Sequence, residues 1–212
     1  MRALFLLLAM LALSSAAHAA TVKAQNGRIL VDGRPITAGP NDSDPVLSPD
    51  GKRVVFQRTV AGRPIADCSA TGDAAAPVEL WAADMQGRDA HRLLALHTEQ
   101  DVGRIVCAFD NAQFSSDGTR LYFETPAWAT SGALHVLDMR SGRERYVMPS
   151  NGATVLEHCR DPRYRGDLIV SQHRYFVFGG SYDWAFLFTP TGKEVGPLGD
   201  GDVTSYLKDV CG

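Results

Sequence analysis

LSPDGKRVVF at Leu47–Phe56 and FSSDGTRLYF at Phe114–Phe123 are two versions of one phrase. Each is a short apolar strand, an Asp-Gly turn, and a second strand rich in β-branched and aromatic residues. Asp-Gly favours tight hairpins because glycine accepts a positive φ without steric cost. A phrase that recurs at this scale predicts a modular β-architecture.

The likeness continues outward. Asp44–Gln57 leads through a loop to ELWAADMQGRDAHRLL at Glu79–Leu94. Asn111–Glu124 leads to ALHVLDMRSGRERYV at Ala133–Val147. Both third strands end in Asp-Met and turn at a glycine, Gly87 or Gly142. The first unit is longer, with its surplus between the second and third strands, around Cys68. A third, divergent unit reads GDLIVSQHRYFVFGG and then YDWAFLFTPTGKEVGPLG, with strands expected at Asp167–Gln172, Tyr175–Phe178 and Trp184–Thr189. Strand-like runs bounded by Gly, Pro, Asp and Asn recur along the chain, and helical periodicity is scarce, so the expected fold is all-β. The units lie at about 44–94, 111–148 and 166–199 of a single domain spanning 20–212.

Residues 1–19 read as an export leader: Arg2, an apolar core at Leu4–Leu13, and Ala17-His18-Ala19 before the cut. The apolar core falls short of the roughly 20 residues of a membrane span. Without the leader the chain carries 20 Lys+Arg against 24 Asp+Glu. That balance offers no basic footprint for nucleic acid or for an anionic membrane. The expected location is the periplasm or outside the cell. Cys68, Cys107, Cys159 and Cys211 form an even set in an exported chain, which reads as two disulfides.

SPDGKRVVF, followed by a strand ending in Asp and a glycine turn, resembles the WD40-like repeat of the TolB propeller family. The resemblance is good over Asp44–Leu94 and Asn111–Val147 and weak over Asp167–Gly199. It implies a β-propeller-like array of about three four-stranded antiparallel blades, fewer than the usual 4–8. A fourth, composite blade from both termini (Val22–Thr37 with its Asn-Gly signal, and Asp202–Val210) would close it. An open three-blade sector and two chains completing one ring are the alternatives.

If each unit runs A-B-C-D, the A–B and C–D turns share one face, and the B–C loops and D–A connections share the other. All four cysteines then fall on the second face, and neighbouring loops suggest Cys68–Cys107 and Cys159–Cys211. The same face would hold the candidate binding residues Trp128, His158, Arg160, Tyr182, Asp183 and Trp184, together with Asn41, Asp42 and Asp44. Rigid aromatic rings give contact area at low entropic cost.

Asp50 and Asp117 look like paired carboxylates, but in tight turns they are expected to cap their own backbone. His91, His97, His135, His158 and His173 show no zinc-ligand spacing. Asn41–Asp44 lacks the EF-hand pattern, and Gly179–Asp183 lacks the spacing of a nucleophile elbow. No catalytic residue, metal or cofactor is expected. The function expected is an exported, non-enzymatic binding or scaffolding module for a protein, peptide or cell-envelope component. The alternatives are a small exported hydrolase built around His158, Asp161 and Asp183, and a half-propeller completed as a homodimer.

Overall fold

The structure is a computed structural model that describes residues 20–61, 66–67, 74–75, 78–97 and 100–212. The expected leader and Cys68 lie outside the described residues. The chain opens with a three-stranded sheet of β1 (Val22–Gln25), β2 (Arg28–Val31) and β3 (Arg34–Pro35). Both of its turns, Asn26-Gly27 and Asp32-Gly33, hold positive φ at both residues, as two-residue hairpins require.

The first blade contains β4 (Asp42–Leu47), β5 (Arg53–Thr59), β8 (Val78–Asp84) and β9 (His91–Leu94), in that spatial order. Its B–C insertion carries a small pair, β6 (Ala66–Asp67) and β7 (Ala74–Ala75). The second blade is β10 (Asp110–Phe114), β11 (Arg120–Trp128), β12 (Ser131–Asp138) and β13 (Glu144–Ser150). The third is β14 (Ala153–Val155), β15 (Leu168–Tyr175), β16 (Ser181–Phe188) and β17 (Glu194–Gly199). All pairings within these blades are antiparallel meanders.

The inner strands are apolar without alternation because both of their faces are covered, and the two-residue period of a strand divides each run between two interfaces. Val54 and Phe56 face the N-terminal sheet with Ile29 and Val31, while Val55 faces the second blade. Leu121 and Phe123 face the first blade, and Tyr122 the third. Leu168, Val170, Phe186 and Phe188 face the second blade, leaving Ile169, Ala185 and Leu187 on the outer side. Each such side chain contributes roughly 1.5–3 kcal/mol through burial. A one-residue slip would exchange the two interfaces.

The third blade corrects the expected strand order. Its first strand is Ala153–Val155, entered directly from the second blade through Asn151-Gly152, so Leu168–Tyr175 is the second strand and not the first. The segment Leu156–Asp167, with a short 3-10 turn at Pro162–Tyr164, takes the place of an Asp-Gly turn. His158, Cys159, Arg160 and Asp161 therefore lie on the A–B turn face. Cys107, between β9 and β10, lies on the opposite loop face, so the cysteines do not share one face.

The termini do not form a composite blade. Residues Val203–Cys211 are helix α1, whose first turn is capped by Asp202 accepting from the Ser205 amide at 3.0 Å. Val203, Tyr206, Leu207 and Val210 pack over the outer face of the third blade. Cys159 is bonded to Cys211, fixing the helix end to the A–B segment with the Cα atoms 4.0 Å apart. That pairing matches the expectation, although a helix and not a loop supplies the partner. Cys107 is fully buried and disulfide-bonded; its expected partner Cys68 lies outside the described residues. At the other end the N-terminal sheet covers the first blade. The apolar clusters join the N-terminal sheet to the first blade, the first blade to the second, the second to the third and the third to α1, so the blades stack in chain order as a sector with both ends covered.

Candidate binding surface

The β15–β16 hairpin projects from the loop face in unbroken register, pairing Gln172 with Trp184, His173 with Asp183, Arg174 with Tyr182, and Tyr175 with Ser181. Its tip, Phe176–Gly180, is closed by the Phe176 amide donating to the Gly180 carbonyl at 3.0 Å and the Gly179 amide donating to the Phe176 carbonyl at 3.1 Å. Gly179 and Gly180 hold φ of 97° and 84°, a backbone that other residues adopt only under strain. The tip's apolar side chains are largely uncovered: Phe178 is 101% exposed, Val177 94%, Tyr175 68% and Phe176 54%.

Below the tip the rings are ordered. On the side facing the second blade, the Phe176 and Tyr182 rings lie 4.6 Å apart and those of Tyr182 and Trp184 5.0 Å apart. Tyr182 is half-buried against the core between the second and third blades, whereas Trp184 is exposed. On the other side, His173 stands edge-on to Tyr175 and donates Nδ1–H to Asp183 Oδ1 at 2.8 Å. Arg174 lies 3.6 Å above the Phe186 ring centroid and pairs with Glu194 at 2.7 Å. The hairpin is a stiff aromatic stem under an uncovered apolar tip.

Of the residues expected at one site, the structure brings Tyr182 and Trp184 together on one side of β16 and leaves the adjacent Asp183 on the other, against His173. Trp128 is on the same face but in the tight B–C turn of the second blade, seated over Gly103 and edge-on to Tyr146 at 6.2 Å. A Cβ on Gly103 would lie 2.8 Å from the Trp128 ring, so this tryptophan is packed in place. His158 and Arg160 are on the opposite face. His158 is solvent-exposed, and Asp161 is held by Arg163 at 2.5 Å. The His158, Asp161 and Asp183 constellation is therefore not assembled.

Asp42 is buried in a two-pronged pair with Arg58, at 2.6 and 3.0 Å, under a guanidinium stacked on Trp81. Asp50 and Asp117 accept from Ser48 and Ser115, each at 2.6 Å, inside their own turns. Those bonds hold both carboxyls below the ordinary aspartate value. Asp110, at the start of the edge strand β10, is pushed the other way by desolvation and by the nearby Asp44 and Glu124.

Sequence reasoning missed Tyr175–Phe178 as surface residues because an apolar run suggests a buried strand. The Gly179-Gly180 pair right after it is the signal that the run ends in a turn. A second polar cluster also escaped notice: His135 is fully buried, 2.5 Å from Glu144, and stacked on Phe123, with Nε2 unpartnered. Tyr146 beside it is pushed up to about 12 by burial and Asp101. No group of three or more His, Cys, Asp or Glu among the described residues is arranged to hold a metal. No described helix is long and apolar enough to cross a membrane.

No family model and no curated protein matches the sequence. Solved structures do match the fold. The chain has the architecture of β-propeller blades. A putative dipeptidyl aminopeptidase IV from Bacteroides ovatus aligns with a TM-score of 0.50 at 14% identity, covering 82% of this chain and 28% of that one. The propeller domain of the Trilobed protease from Pyrococcus furiosus gives 0.49 at 15% identity, covering 84% and 52%. A putative TolB from Agrobacterium tumefaciens gives 0.47 at 13% identity, covering 81% and 55%. The chain thus spans between about a quarter and about half the length of these structures, and identities this low speak to the fold alone.

Proposed function

We propose that the protein is an exported, non-enzymatic binding module that engages a protein, peptide or cell-envelope component through the tip of the third-blade hairpin. The observation that carries this reading is the nearly complete exposure of Val177 and Phe178 on a hairpin whose stem is fully paired. A contiguous apolar surface held out in water marks an interaction site more often than a structural one. Because the stem is ordered before binding, little conformational entropy is lost on contact. The Cys159–Cys211 bond and the leader-like residues 1–19 fit an oxidising, exported setting.

Tyr182 and Trp184 brace the stem, and Phe176, Val177 and Phe178 make the contact. The test is recovery of partners from envelope extract by wild-type protein, by Phe176→Ser/Phe178→Ser, and by His158→Ala/Arg160→Ala on the opposite face. Loss with the first variant and retention with the second is expected. Equal recovery by all three would move the site elsewhere.

A further inference from the structure

At the other end of the blades, on the turn face, a cavity of about 430 Å³ lies against the second blade. Its lining is Arg120, Arg143 and Arg145 with Val136, Ser141 and the two acids Asp138 and Glu144. The register explains the convergence. Arg120 is opposite Asp138 and Arg145 is opposite Val136, on the sheet side that faces the third blade, while Arg143 follows from the adjoining turn. Arg120 and Arg145 both act on Tyr122, opposing the rise in its phenol pKa that burial causes.

None of the three arginines has an ion-pair partner among the described residues. The acids around them are engaged elsewhere. Asp138 accepts from the Arg140 and Ser141 amides and the Ser141 hydroxyl within its own turn. Glu144 points through to the opposite side of the sheet, where it meets His135 and lies 3.9 Å from His97. Asp117, near Arg120, is tied to Ser115 and Thr119. Arg120 and Arg145 lie two strands apart with Asp138 and Val136 on the strand between them, and Arg143 is two residues from Arg145, so the three form a basic patch rather than opposed pairs.

We propose that this cavity binds a small phosphate-bearing molecule, with Arg120, Arg143 and Arg145 donating to its oxygens. A flat carboxylate is satisfied by one guanidinium fork. A tetrahedral phosphate presents oxygens in three directions and matches three forks. Val136 supplies an apolar floor for the remainder of the molecule. The site is independent of the aromatic hairpin, which lies at the opposite end of the blades.

The test is thermal unfolding of the full chain in pyrophosphate, inorganic phosphate and citrate, each matched in ionic strength with sodium chloride. Pyrophosphate should raise Tm by about 3–6 °C once present at about ten times its Kd, with phosphate weaker and citrate weakest. Arg145→Gln should lose about tenfold or more in affinity. Its ligand-free Tm should be close to that of wild type, because Arg145 is exposed and in no ion pair among the described residues. Arg28→Gln, on the N-terminal sheet, should respond as wild type does. An equal pyrophosphate response in Arg145→Gln, no response beyond chloride, or a citrate response larger than that of pyrophosphate would each overturn the proposal.

Discussion

The second and third blades share a strand order but not a way of being held. In the second, Phe114 and Leu121 flank an Asp-Gly turn, and the B–C turn between Trp128 and Ser131 is tight. Even its partly exposed Trp128 is seated on Gly103 and Tyr146. The third departs at two places. Its A–B turn is replaced by Leu156–Asp167, and that departure is compensated by α1 and the Cys159–Cys211 bond. Its B–C turn is replaced by an apolar tip, and nothing in the described chain covers it. A departure from the repeat that packing compensates is structural. The uncompensated one is the place proposed here for an external partner.

The comparison can be broken by measuring what each departure contributes to stability. The largest effect should come from Cys159→Ser/Cys211→Ser. Opening a loop with a sequence separation of 52 should cost about 4 kcal/mol in urea unfolding on the chain-entropy account. Trp128→Ala should cost about 2 kcal/mol by the same measurement, less than a fully buried ring because one side is solvated. Asp117→Ala should cost about 1 kcal/mol by breaking the Ser115 and Thr119 bonds of its turn. Phe176→Ser/Phe178→Ser should cost least, about 0.5 kcal/mol, because the loss is confined to the Phe176–Tyr182 ring contact. If the tip variant proves as costly as Trp128→Ala, the tip is a packed element and the contrast between the blades disappears.

The turn aspartates add a smaller, pH-dependent effect. Asp50 and Asp117 have folded pKa values below 3.8, first through Ser48 and Ser115 and then through backbone amides. A depressed acid contributes stability that is fully present above its unfolded value and is lost as pH falls through the folded one. Their contribution should thus hold at neutral pH and fade only below 3.8. Asp110 has the opposite sign: raised above 3.8, it opposes folding at neutral pH until it is protonated. Asp110→Asn should raise Tm slightly at pH 7, and that gain should vanish below 3.8. A gain that persists in acid would mean that charge was not its cause.

The blade repeat was legible because Asp-Gly turns have a strict backbone requirement and the apolar runs around them split cleanly between two interfaces. The third blade was harder to frame. Ala153–Val155 is too short to stand out, and Leu168–Tyr175 is interrupted by the polar Gln172, His173 and Arg174 that one exposed side allows. The C-terminal helix was readable in principle. Asp202 before Val203, Tyr206, Leu207 and Val210 is a cap followed by helical spacing, but the search for a fourth blade favoured a strand. Tyr182, Asp183 and Trp184 were singled out because aromatics beside glycines stood out, and the structure sets Tyr182 and Trp184 on one side of β16 and Asp183 on the other. His158 and Arg160 were misplaced by the one-strand shift, which moved them to the opposite face.

The central claim is that the third-blade tip, and not its packed counterpart on the second blade, meets a partner. A photo-cross-linking residue placed at Phe178, and separately at the exposed Ala129 in the second-blade turn, tests it in the producing cell. One dominant adduct from position 178 and none from position 129 is the predicted result. Equal adducts from both positions, or none from 178 with the protein intact, would contradict it.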